Sequence, residues 1–252
     1  VTFPGRWVGG GSLVLAPSLL LLGIVLRLPV FLALPPERLA ALQGPTFFPV
    51  QLAAVETRPT LMLVSYGSVL AGTILLWPAV VTLAALIGTK HPRWALWGGS
   101  LTLLGLFART FHAGVDHFAF QLVRVQGLQP ATEAVRDSYR AISYGPFDLI
   151  GILGFAVFFG WPVLAIGAYL SRVLGLVRSL ALGFMAALMA GVLKGSTDVS
   201  VVATAGLCLA LVPLGIQLLR GNDDGSSVPG ADVARERELR TATSGQRRAQ
   251  TT

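Results

Sequence analysis

Residues 103–123 read LLGLFARTFHAGVDHFAFQLV, and inside this apolar run an arginine, two histidines and an aspartate fall within nine residues. On a helix, at about 100° per residue, Arg109, His112 and Asp116 project at about 0°, 300° and 340°, one narrow face, whereas His117 projects at about 80°, on a flank. Asp116, one turn after His112, is within reach of a direct hydrogen bond to it. A carboxylate beside an imidazole that can change charge near neutral pH is the pairing general acid–base catalysis uses. Phe107, Phe111, Phe118 and Phe120, with Phe155, Phe158, Phe159 and Trp161, would supply aromatic walls able to stabilise a cation. The same residues serve equally well as ordinary helix packing.

The i, i+4 spacing of His112 and Asp116 also resembles half of a helical metal-ligand pair. His117 points about 100° away from Asp116 on the helical wheel, however, and the remaining histidine, His91, falls in a basic loop at the other end of the span. No metal site and no cofactor are therefore expected. A haem held by two histidines would need them on two helices, and no Walker, HExxH, Ser-His-Asp or paired DxxD pattern is present.

The elements that must carry these residues are membrane spans. The 252 residues are 54% hydrophobic and only 12% charged, and the mean hydropathy of +0.71 is far above that of a soluble domain. The net charge of +7 is scattered over loop edges and a tail, which suits anionic lipid surfaces and argues against nucleic acid. Cys208, the single cysteine, excludes an intrachain disulfide and a cysteine-based metal site. The opening Val1 is what a GUG start codon gives on literal translation. The first apolar run is too long for a signal-peptide core and ends in Leu-Pro-Pro, so it is expected to stay as a membrane anchor.

Runs of about 20 apolar residues predict six spans, at residues 11–34, 61–87, 94–118, 147–170, 175–193 and 199–219. In lipid each must be a helix, because every backbone polar group has to pair within its own segment. Pro17, Pro29, Pro78, Pro162 and Pro213 fall inside these runs and are expected to kink rather than end them. Arg178 sits in the first turn of the fifth span and is expected to snorkel to the interface. The expectation is an all-α, polytopic membrane helix bundle of six transmembrane helices over residues 1–220. A polar tail without aromatics follows over 221–252 and reads as disordered and cytoplasmic.

With both termini cytoplasmic, the inner segments hold eleven basic residues and the outer ones six, so the positive-inside rule favours that orientation in the cell membrane. The longer outer loops contain the helical stretches PERLAALQ, PVQLAAVE and TEAVRDSYRAIS, which read as interfacial helices lying over the outer mouth. The segment from Trp77 to Arg109 echoes that from Trp161 to Lys194. Both start Trp-Pro, pass a short basic loop and return through a Gly/Ala-rich helix. The echo points to duplication of a two-helix unit, although Gly/Ala/Leu-rich spans also resemble one another by chance.

Counting about 1.5 Å per residue from the predicted span starts puts Arg109 roughly 22 Å up, Asp116 roughly 33 Å up and Arg27 roughly 24 Å up, level with Arg109. Each outward-running span then carries a cation in its outer part, Arg27, Arg109 or Lys194. Asp116, Asp148, Asp198 and Glu56 are acidic residues at similar depth. Ionisable residues within spans are costly and usually mark sites. Asp116 and His112 are the candidate catalytic pair, and Arg109, Arg27, His117, Asp148, Lys194 and Asp198 the candidate ligand-binding residues of a pocket open to the outside. Internal salt bridges that merely hold helices together are the competing account of each.

Three functional classes fit. One is a membrane-embedded enzyme using acid–base chemistry on a lipophilic isoprenoid or lipid substrate, for example a cyclase. The second is a transporter or the six-helix membrane subunit of an ATP-driven exporter, which would need an ATPase partner because no phosphate-binding loop occurs here. The third is a structural or sensory subunit. Expected partners are membrane lipids and a lipophilic small molecule, with no nucleic acid.

Overall fold

A computed structural model describes residues 4–35, 37, 48–142, 149–192 and 198–221, without the side chains of 139–142, 185–192 and 198. Among the described residues the regular structure is entirely helical: α1 (Gly5–Leu32), α2 (Phe48–Thr57), α3 (Pro59–Gly88), α4 (Pro92–Gln126), α5 (Leu128–Ile142), α6 (Leu149–Leu170), α7 (Leu176–Val192) and α8 (Asp198–Arg220). Residues Val1–Leu219 make one compact unit, and Arg220–Thr252 fall in a second. The tail expected to be disordered lies outside the described residues from 222 onward.

Proline marks the first turn of α3 and of α4, where its missing N–H costs nothing and its fixed φ suits the helix. The five interior prolines all lie within continuous helices. Ser18 Oγ donates to Val14 O at 2.7 Å beside Pro17, and Thr82 Oγ1 donates to Pro78 O at 2.7 Å, so hydroxyls supply hydrogen bonds near the breaks. The loop after α6 turns through Arg172 at φ 61°, with the N–H groups of Val173 and Leu174 both donating to Ala168 O. Arg178, the residue expected to snorkel, is half-buried. Its Nη2 donates to Ala210 O of α8 at 2.9 Å, within the turn that Pro213 loosens.

The long helices pack antiparallel through small residues. Gly98, Thr102 and Gly105 of α4 meet Leu164, Gly160 and Val157 of α6, so rising numbers on one face falling numbers on the other. Gly9 and Gly23 of α1 meet Thr82 and Val69 of α3 in the same sense, and Gly10 meets Gly215 of α8. At Gly105 a side chain has no room: a Cβ there would lie 2.5 Å from Val157 N. Such close backbone approach is how helices associate in lipid, where apolar burial supplies little drive.

Two apolar cores result. The larger runs along α1, α3, α4, α6, α7 and α8 around Leu20, Leu76, Trp161 and Leu207. The smaller one closes one end, where Phe48, Leu52 and Val55 of α2 pack against Phe31, Met62, Phe120 and Val135. This corrects the reading of PVQLAAVE as an interfacial helix. Residues 50–55 are all buried, and the segment has no charged face along that run to hold it at a surface. PERLAALQ falls almost wholly outside the described residues. In α5, by contrast, Ala131 and Val135 are buried while Glu133, Arg136 and Asp137 are exposed, the two-sided pattern of a surface helix.

Four helices, Gly5–Leu32, Pro59–Gly88, Leu149–Leu170 and Val199–Arg220, are long and apolar enough to cross a bilayer. Their outward faces and those of their neighbours expose Leu22, Ile74, Leu104, Phe107, Phe159 and Leu209, an apolar perimeter that water would not tolerate on this scale. The protein is a membrane-embedded helix bundle. Of the other two predicted spans, 94–118 lies in α4, whose C-terminal half carries the polar stripe, and the described part of 175–193 is mostly α7, which is 17 residues long.

Candidate functional site

The stripe of α4 faces α3. Along that seam Tyr66, Val69, Leu70 and Thr73 of α3 and Arg109, His112, Ala113 and Asp116 of α4 line a cavity of about 20 Å³, room for about one water molecule. The spacing on both helices is three and four residues, so one face of each is presented to the other.

Asp116 is 6% exposed and Arg27 of α1 is fully buried. The Arg27 guanidinium carbon lies 5.1 Å from the centroid of the Tyr66 ring, a cation–π contact, and its charge also acts on Asp116. Tyr66 interacts with Gln51 of α2, itself fully buried, and stacks edge-on against Phe120 with centroids 4.6 Å apart. Next to it Ser65 Oγ donates to Gly23 O at 2.6 Å, tying α3 to α1. A buried cation in apolar surroundings persists only with polar partners, and here α1, α2, α3 and α4 each supply one member of the cluster.

Arg27 therefore stands level with Asp116, not with Arg109 as depth counting suggested. The helices begin at Gly5 and Pro92. From those starts Arg27 is about 33 Å along α1, Asp116 about 36 Å and Arg109 about 26 Å along α4. Arg109 is half-buried and lines the cavity from below.

His112 Nδ1 is 2.8 Å from Ala108 O. A carbonyl only accepts, so Nδ1 carries the hydrogen in this contact and Nε2 is the basic nitrogen of the neutral ring. His117 is exposed and outside the cavity. Gln121 Nε2 lies 3.4 Å from its Nε2, and Arg124 Nη1 reaches Gln121 Oε1 at 3.5 Å. Asp148 and Lys194 lie outside the described residues, and Asp198 begins α8 with its side chain undescribed. Among the described residues no three His, Cys, Asp or Glu side chains converge on a metal-sized site.

Sequence reasoning missed Tyr66, Gln51 and Thr73. The signal for the first two was available, a lone tyrosine inside a predicted span and a lone glutamine inside PVQLAAV, since polar groups in such company need partners. Comparison with protein-family models, curated proteins and solved structures finds no match to this chain.

Proposed function

We propose that the protein is a six-span membrane enzyme in which Asp116 and His112 carry out acid–base chemistry on a lipophilic substrate of the lipid or isoprenoid class, a cyclisation being one such reaction. The observation that carries this reading is the arrangement of His112. Nδ1 is bonded to its own helix, so Nε2 is the basic nitrogen of a ring that lines the same cavity as Asp116. Arg109 adds a cation there, suited to a polar or anionic substrate group. With room for about one water, the cavity admits only the reacting group, and the hydrocarbon part of the substrate stays among the helices or in the bilayer.

Six crossings are supported by the packing of α4, which runs antiparallel between α3 and α6 and cannot lie outside a bilayer that both neighbours cross. The same argument applies to α7 beside α6. An even number of crossings puts both termini on one side, and the basic inner segments favour the cytoplasm. A reporter active only outside the cytoplasm, fused after Arg220, is expected to be silent; strong activity inverts the orientation.

Untargeted analysis of lipids from cells with and without the chain tests the enzyme reading. His112→Ala and Asp116→Asn, each checked for folding by gel filtration, are expected to lower turnover roughly 10²-fold or more. A lipid change that survives both substitutions refutes it. The water-sized polar cavity also favours a second reading, proton- or ion-coupled transport, alone or with an ATPase subunit. Proteoliposomes loaded with a pH-sensitive dye would then show Asp116-dependent proton movement with no chemical change in any lipid.

A further inference from the structure

The α3/α4 seam continues outward beyond the cavity just described. Past the Tyr66–Phe120 pair lies a second pocket of about 170 Å³, lined by Val55, Pro59, Thr60, Leu63, Phe120, Gln121 and Arg124. We propose that this pocket binds the phosphate group of a membrane phospholipid, with Arg124 as its cation. The inference rests on α4 crossing the bilayer, which the reporter fusion tests separately.

Depth places the pocket. On α4 the outermost exposed aromatic residues, Trp97 and Phe118, are about 32 Å apart along the axis, which matches a hydrocarbon core of about 30 Å. Arg124 lies about 9 Å beyond Phe118, in the headgroup layer, where a phosphodiester sits. Leu63, Val64 and Phe118 are exposed just below the pocket mouth, a surface for acyl chains that the volume itself cannot hold.

Chemistry supplies the rest. Among the described residues Arg124 makes one side-chain hydrogen bond, a long one of 3.5 Å to Gln121 Oε1, which leaves its remaining donors for an anion. Across the pocket Thr60 brings a hydroxyl, and its backbone N–H is one of the first-turn donors that have no partner within a helix. No side chain caps that turn. The amphipathic combination of a cation and donors at the rim with apolar walls beneath fits a lipid better than a soluble anion.

The test uses the full chain in neutral detergent, titrated with phosphatidylglycerol or with inorganic phosphate, the bound molecules being counted by native mass spectrometry. One tightly retained phosphatidylglycerol is expected. Arg124→Gln should weaken it about fivefold, the contribution of one basic residue near a membrane surface. Thr60→Val should shift it in the same direction, while Arg93→Gln, exposed at the other end of α4, should not. Unchanged retention in both pocket variants overturns the proposal. Inorganic phosphate bound as tightly as the lipid, and lost in Arg124→Gln, overturns the lipid assignment in favour of a soluble phosphate.

Discussion

Replacing Arg27 with methionine isolates what holds the polar cluster together. Methionine keeps the length and most of the apolar volume, so the lost packing is small and the lost charge dominates. Asp116, 6% exposed, would then lose the charge of the buried guanidinium and keep only its cavity neighbours, among them Arg109 and His112. Removing one partner of a buried pair costs about 3–5 kcal/mol, and the cation–π contact with Tyr66 overlaps with that figure rather than adding to it. Against a typical total stability of about 5–15 kcal/mol, the variant should be severely weakened. Reversible unfolding in mixed micelles with increasing SDS measures the loss. Combining Arg27→Met with Asp116→Asn removes both charges, and the double variant should be more stable than the sum of the two single losses predicts, by about 1–3 kcal/mol. An Arg27→Met protein within about 1 kcal/mol of wild type, or strictly additive losses, would refute the reasoning that the two charges support each other.

Two further perturbations separate packing from chemistry. A Cβ at Gly160 would press on the backbone and hydroxyl of Thr102. Gly160→Ala should therefore cost about 1–3 kcal/mol by overpacking, while Gly67→Ala, with open space around it, should stay within about 0.5 kcal/mol in the same unfolding assay. Arg109 is half-buried on the cavity wall, so Arg109→Gln should lose only about 1 kcal/mol yet abolish the Asp116-dependent lipid change. A stability loss as large as that of Arg27→Met would make Arg109 a structural residue.

What the sequence revealed was periodicity. Arg109, His112 and Asp116 share a face because three- and four-residue spacing puts them there, and they line one cavity for that reason. Span cores were legible because about 20 apolar residues leave a chain in lipid no alternative to helix. Relative depth was not legible. α1 begins at Gly5 and α4 at Pro92, six and two residues before the predicted spans at 11 and 94, so counting from the latter misaligned Arg27 by about four residues, or 6 Å. The place of α2 was equally hidden. Seven apolar residues with one glutamine suit an interfacial helix or a buried one, and only the neighbours that surround Gln51 decide.

The two arginines end up with different work because of where their helices begin. Arg27 is spent on Tyr66 and Asp116, and through Tyr66 it braces the edge-on contact with Phe120. That aromatic pair is the wall between the two pockets of the α3/α4 seam, since Tyr66 lines the inner one and Phe120 the outer. On the reading proposed above, a group moving along this seam toward His112 would have to displace the Tyr66 ring, and so work against the cation packed on it. On that reading Arg27 would act as a positioning residue for both the carboxylate and the aromatic pair. Arg109, half-buried on the wall of the inner cavity, would then be the cation that meets the substrate group.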